Sequence, residues 1–194
     1  MTEAVARVPG AWRVARGPTR RFFEGAAAGW DERVQPDGEE HLAPLVAAVE
    51  RLDAVPRRIL DVGTGTGAGA LWLARRVEEA DVLGVDVSPE MIQRAREKAA
   101  GRVRFAVGDT GAAVGEGPFD LVVHLNCPVL FRDVASAIAE GGTVLVVASR
   151  GAKTPFYTSH SALRRGFRRA GLEVVGEGRA GAGTWLAAAR GSPP

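Results

Sequence analysis

The chain has 194 residues, 46% apolar and 25% charged, with a formal net charge of +2, close to a typical globular protein and enough for one domain of roughly 150 residues with an appendage. That composition excludes bulk disorder, and no apolar run approaches the roughly 20 residues of a membrane-spanning helix. One cysteine, Cys127, excludes an internal disulfide framework and a multi-cysteine zinc site; no metal site is expected, and a reducing cytoplasm is the expected setting.

Taken in chain order, residues 1–18 hold proline, glycine and three of the five arginines found in the first 21 residues, without a clear period, and read as a flexible arm. The basic excess there, with a second cluster at Arg164, Arg165, Arg168 and Arg169, reads as solvated faces rather than a nucleic-acid footprint. Residues 19–57 form a helical cap, with helices expected over 19–29 and 39–52. From 58 to 190 short β-branched runs alternate with amphipathic ones. Strands are expected at 58–62, 82–87, 103–107, 119–124, 143–148, 172–176 and 184–189. Helices are expected at 68–79, 89–99, 129–139 and 163–170, with a glycine-rich loop over 108–118. Such alternation predicts crossover units and a parallel sheet in a single domain spanning 1–194. Runs such as Leu121-Val122-Val123 are apolar on both faces, as strands covered on both sides must be. Ser88 before Pro89 marks a helix start, and Gly141-Gly142 and Gly171 mark helix ends. The last two strands are joined by too few residues for a crossover, so they pair antiparallel.

The stretch Asp61-Val62-Gly63-Thr64-Gly65-Thr66-Gly67 carries the chemistry. A strand ends in an acid, and three alternating glycines lead into a helix, letting a ligand approach the backbone with no Cβ in the way. Open α/β sheets bind nucleotides at this end of the strands. Two more acids follow equivalent strands, Asp86 suited to ribose hydroxyls and Asp109 to an exocyclic amine such as that of adenine. A pyrophosphate on this loop would be opposed by Asp61, so the ligand expected carries a cation there and no phosphate. S-adenosylmethionine fits, with its ammonium, sulfonium, ribose and adenine.

Residues 58–148 resemble the class I S-adenosylmethionine-dependent methyltransferases. The resemblance is carried by Leu60-Asp61-Val62-Gly63-x-Gly65-x-Gly67, by Gly84-Val85-Asp86 with Ser88-Pro89-Glu90-Met91, by Gly108-Asp109 and by Phe119-Asp120-Leu121-Val122-Val123, in order and spacing. Arg21-Phe22-Phe23 and Gly29-Trp30-Asp31 look like the start of the small-molecule subgroup typified by ubiquinone/menaquinone-biosynthesis methyltransferases, with tryptophan where tyrosine is more usual. The resemblance implies a Rossmann-like three-layer α/β sandwich whose seven-stranded, mostly parallel sheet runs 3-2-1-4-5-7-6 with strand 7 antiparallel. It implies that Gly63, Thr64, Gly65 and Gly67 contact the methionine part of the cofactor, with Asp61 holding its amino group. Asp86 binds the ribose, Val87 and Met91 pack near the adenine, and Asp109 meets the adenine amine with Thr110 adjacent. His124 and Asn126 line the floor beneath the sulfonium, and Trp30 offers it a ring face.

Methyl transfer from a sulfonium needs alignment first and a base only when the acceptor must lose a proton. Base candidates are His124, His160 and Tyr157, with His124 preferred; His41 reads as a surface residue. Phe22, Phe23, Asn126, Phe156, Tyr157 and His160 are the expected acceptor-pocket residues, for a small and partly apolar acceptor. Asn126-Cys127-Pro128-Val129 departs from the Asn-Pro-Pro-aromatic motif of amide- and ring-nitrogen methylating enzymes, which argues against that chemistry. Two other classes stay open: an NAD(P)-binding oxidoreductase, and a catalytically silent cofactor-binding regulatory subunit.

Overall fold

A computed structural model describes residues 10–191. Seven strands form one sheet: β1 (Arg58–Val62), β2 (Asp81–Asp86), β3 (Arg104–Val107), β4 (Phe119–Leu125), β5 (Ile138–Ala148), β6 (Glu173–Ala180) and β7 (Gly183–Ala189). Their order is β3-β2-β1-β4-β5-β7-β6, with β7 antiparallel to both neighbours and every other pairing parallel. Successive side chains of a strand point to opposite faces, and both faces are covered. On one face Ile59, Leu121, Val123 and Leu145 pack against the helices α3 (Glu39–Val49), α4 (Ala68–Arg76) and α5 (Pro89–Ala99). On the other, Leu60, Val122 and Val144 meet α7 (Phe131–Ala137) and α8 (His160–Arg169). The result is the expected three-layer sandwich, with the carboxyl ends of β1, β2, β3, β4 and β5 along one edge.

Several boundaries follow from local signals. Ser88 accepts from the Met91 amide at the start of α5. At the end of α8, Gly171 adopts φ +76°, the Leu172 amide donates to the Phe167 carbonyl and the Gly171 amide to that of Arg168, a complete Schellman closure. Asp120 anchors the start of β1 by accepting from the Arg57 and Arg58 amides at 2.8 and 2.9 Å.

Four expectations are corrected. Residues 1–9 of the expected arm lie outside the described residues, and from Ala11 onward the chain is helical: α1 runs Ala11–Ala26, followed by a 3-10 turn (Ala27–Gly29) and α2 (Trp30–Val34). Alanine and arginine favour helix intrinsically, which the missing apolar period obscured. The 108–118 segment is a short helix, α6 (Thr110–Ala113), and a 3-10 turn rather than open loop, because Asp109 caps it by accepting from the Ala112 amide. The helix expected over 129–139 stops at Ala137. Gly141-Gly142 therefore lie within β5, where they absorb the irregular pairing with β4 between Phe119 and Leu121 instead of ending a helix.

Candidate functional site

Asp61 and Asp86 end adjacent strands, and both are buried, at 1% and 8% exposure. The Asp61 carboxylate lies at the start of α4: Thr64 Oγ1 donates to its Oδ2 at 2.6 Å, while Oδ1 is enclosed with no partner among the described residues. Burial pushes the Asp61 carboxyl up to about 7 against the opposing Thr64 and Ala70 hydrogen bonds, with the nearby Asp86 charge adding to the rise. Asp86 accepts from the Gly65 amide at 3.0 Å and the Ser88 amide at 2.9 Å, and burial raises it as well. Neither carboxylate has a basic partner among the described residues. Such a pair is costly unless a cation arrives.

The loop between them is shaped by its glycines. Gly67 adopts φ +89°, and a Cβ there would stand about 3.0 Å from Phe105 and 3.1 Å from Ala95. Gly63, at φ +64°, lies under Cys127, whose Cβ would be 2.5 Å from an added one. Thr64 and Thr66 are buried along the same crook. Val87 and Met91 are buried where the chain leaves β2.

Asp109 is already engaged. Trp12 of α1 donates its indole Nε1–H to Asp109 Oδ2 at 2.8 Å, and Arg16 Nε lies 3.3 Å from the same oxygen. The adjacent Thr110 hydroxyl is fully buried and has no partner among the described residues. Trp30 rests on the glycine loop, its Nε1 4.0 Å from where a Gly65 Cβ would stand. Asp31 accepts from Thr66 Oγ1 at 2.5 Å and pairs with Lys98, latching the cap to loop and α5. Asp31, Trp12 and Arg16 were not singled out from the sequence; for Asp31 the signal was its place in the aromatic–acid pair.

On the β4–β5 side the structure rearranges the expected roles. His124, the preferred base, is fully buried. Its Nδ1 lies 3.2 Å from the Pro128 carbonyl, its Nε2 is enclosed without a partner among the described residues, and burial drives the imidazole down to about 4. Sealed and neutral, it has no path to an acceptor's proton. Cys127 donates its thiol to the Val62 carbonyl at 3.0 Å, and burial pushes that thiol well above its usual range, with the Asp61 and Asp86 charges adding to it. Asn126, at φ +58°, donates to Ser149 Oγ at 2.9 Å, accepts from the Ser149 amide at 2.8 Å and contacts His41 Nε2 at 3.0 Å. His41 is therefore half-buried and tied to the floor rather than free at the surface.

A cleft opens beside this floor, lined among others by Asn126, Cys127, Phe156, Tyr157 and His160. Phe23 reaches its rim, with ring centroids 5.4 Å from Trp30 and 6.3 Å from Phe156. Phe22, expected as a wall, is 67% exposed and only touches Phe23 edge-on; one helical position places it on the outer face of α1. His160 Nδ1 lies 2.9 Å from Glu177 Oε2, a partner from β6 that no local sequence signal marks.

The methyltransferase domain family matches residues 59–146. The demethylmenaquinone methyltransferase of Deinococcus radiodurans is 37% identical over 111 residues, covering 54% of this chain and 45% of that protein. The release factor glutamine methyltransferase of the same organism is 46% identical over 90 residues, covering 44% and 32%. The chain spans less than half the length of these curated relatives. Among solved structures, the complex between the Haloferax volcanii Trm112 methyltransferase activator and a putative methyltransferase matches with a TM-score of 0.69 at 19% identity, covering 87% of this chain and 97% of that one, which speaks to the fold. The donor set fits S-adenosylmethionine: two buried acids without basic partners among the described residues, an enclosed carboxylate oxygen and a loop whose glycines leave the backbone open to close approach. Residues 59–146 match the methyltransferase domain family, and the sheet order and glycine crook resemble those of the class I S-adenosylmethionine-dependent methyltransferases, with a likeness to those of quinone biosynthesis.

Proposed function

We propose that this protein transfers a methyl group from S-adenosylmethionine to a small, partly apolar acceptor held in the cleft under Phe23, Phe156 and Tyr157. The observation that carries the reading is the pair Asp61 and Asp86, buried at neighbouring strand ends with no basic partner among the described residues. A ligand with an ammonium beside Asp61 and ribose hydroxyls at Asp86 offsets the cost of burying both. A dinucleotide does the opposite, setting a pyrophosphate against the enclosed Asp61 oxygen. When bound, the cofactor supplies a methyl group on a sulfonium, already a good leaving group.

The chain's own residues then supply position. Gly63, Thr64, Gly65 and Gly67 admit the methionine part to the backbone, and Asp61 holds its amino group. Asp86, now bonded to the Gly65 amide, takes the ribose, with Val87, Met91, Asp109 and Thr110 around the adenine. Trp30, on the Gly65 backbone, gives a ring face to the sulfonium, an interaction of about 0.5–2 kcal/mol. Holding donor and acceptor in line accounts for roughly 7–11 kcal/mol of rate enhancement in well-aligned systems. The short connection from β5 to α8 adds no domain over the cleft, which suits a small acceptor. Calorimetry with S-adenosylhomocysteine and, separately, NADH tests the cofactor: binding of the first and not the second is expected. Label from methyl-labelled cofactor should appear in small molecules; label confined to macromolecules would sink the acceptor class.

A further inference from the structure

Resting on that reading, we propose that His160, oriented by Glu177 and Arg164, takes the proton from a neutral hydroxyl acceptor, of phenol or enol type, in the cleft. His160 is the first residue of α8, after the N-cap Ser159. A side chain there leans back past the helix start, and His160 lines the cleft together with Tyr157 and Asn126. Its Nδ1 meets Glu177 Oε2 at 2.9 Å. A carboxylate only accepts, so Nδ1 carries the hydrogen and Nε2 presents the lone pair. Glu177 is itself fixed: Arg164, one turn along α8, holds its other oxygen at 2.8 Å and keeps it ionised. Base, orienting carboxylate and clamp thus come from two elements, the geometry by which general bases are recognised.

The alternatives on the cleft are spent. His124 is sealed and Cys127 keeps its proton. No Arg, Lys, Asp or Glu lines the cleft. An acceptor that enters as a carboxylate meets no countercharge and needs no base, whereas a neutral hydroxyl needs one. In the step, the hydroxyl proton passes to His160 Nε2 while the oxygen bonds to the methyl carbon. The carbon–sulfur bond breaks with its electron pair left on sulfur, giving a thioether, a methyl ether and an imidazolium facing Glu177. Glu177 and Arg164 are positioning residues.

The test uses the full chain and a panel of phenols and enols with methyl-labelled S-adenosylmethionine, alongside carboxylic acids and amines. Methylation of hydroxyl acceptors is expected, with His160→Gln lowering kcat about 10²–10⁴-fold and leaving S-adenosylhomocysteine affinity unchanged. Added imidazole should restore His160→Ala in part, and the loss should vanish for a nitrophenol presented as its phenolate. Glu177→Gln should lower kcat more than it raises KM, and nitrogen NMR should show the Nδ1–H tautomer of His160 in the wild type and its loss in that variant. The inference is overturned if His160→Gln keeps more than a third of wild-type kcat, or if the variants lose equally on the phenolate. It is overturned too if only acids or amines are methylated, if nothing is methylated, or if the resting tautomer is Nε2–H. Failure of S-adenosylhomocysteine to bind the wild type marks instead the failure of the underlying reading.

Discussion

Along the β1–β2 end of the sheet edge, the groups presented are backbone and carboxylate: the crook at 63–67, Asp61 with its enclosed oxygen, and Asp86 bonded to two amides. Along the β4–β5 end they are side chains tied to neighbouring segments: Asn126 with Ser149 and His41, His124 with the Pro128 carbonyl, His160 with Glu177. A cofactor common to a family can be met by fixed backbone geometry, because its shape never changes. An acceptor peculiar to one enzyme is met by side chains, which vary without disturbing the sheet. The first half should therefore fail all at once when a single group is removed, and the second by degrees.

The sharpest way to break that contrast is Asp86→Ala. Two charge-assisted hydrogen bonds to ribose hydroxyls, at about 1.5–3 kcal/mol each, make a 10²–10⁴-fold loss of S-adenosylhomocysteine affinity the expected result by calorimetry. Asp86→Asn, which keeps one accepting oxygen, should lose less. A loss below fivefold for the alanine variant would mean that the β1–β2 end does not hold the ribose.

Next in size is Gly63→Ala. The φ of +64° strains any side chain, and the new Cβ would stand 2.5 Å from that of Cys127. Strain and overpacking together predict a loss of about 2–5 kcal/mol in denaturant unfolding. Pairing it with Cys127→Gly removes the clash and leaves the strain, so the double variant should recover part of the loss but not all. Full recovery would show that the left-handed backbone there costs nothing.

The same contrast explains what could be read from sequence. The glycine crook and the acids Asp61 and Asp86 were legible because each is written in adjacent residues with a fixed relation to a strand end, and the strand order followed from the family resemblance those residues carry. The end of α7 was not, since Gly141-Gly142 serve equally as a helix stop or a bulge and only the pairing with β4 decides. His124 reads from sequence as a base on the cleft floor because one position separates the cleft from the sheet interior, and its burial is set by Pro128 and the neighbouring strands. Glu177 lies 17 residues from His160, and nothing local to either announces the other. The cap was missed in detail for a related reason: Trp12, Arg16 and Asp31 matter through contacts with Asp109, Thr66 and Lys98, all distant in sequence.

A third effect is a pH dependence. The folded chain raises the Asp61 carboxyl from 3.8 to about 7, holding its proton more tightly than the unfolded chain does. Its contribution to stability is therefore complete below its unfolded value and is lost as pH rises through about 7. Ligand binding runs the other way, since only the carboxylate attracts an ammonium. S-adenosylhomocysteine affinity should rise about tenfold per pH unit up to about pH 7 and then level. Calorimetry in buffers of different ionisation enthalpy should detect proton release on binding. Affinity that is flat across that window in the wild type would remove Asp61 from the ammonium site.

The smallest effect concerns the place where the cap meets the cofactor half. The Trp12 indole donates to the Asp109 oxygen expected to accept from the adenine amine, and Arg16 sits beside it. If Asp109 serves the adenine, the two donors compete, and α1 must give up one hydrogen bond before the cofactor gains its own. A net hydrogen bond is worth about 0.5–1.5 kcal/mol, so Trp12→Phe, which keeps an aromatic ring and loses the donor, should tighten S-adenosylhomocysteine binding about 2–12-fold. The variant should also lose thermal stability in the free protein and regain it when ligand is saturating. Weaker binding would mean that the Trp12 ring packs on the ligand instead, and that the cap belongs to the cofactor site rather than lying across it.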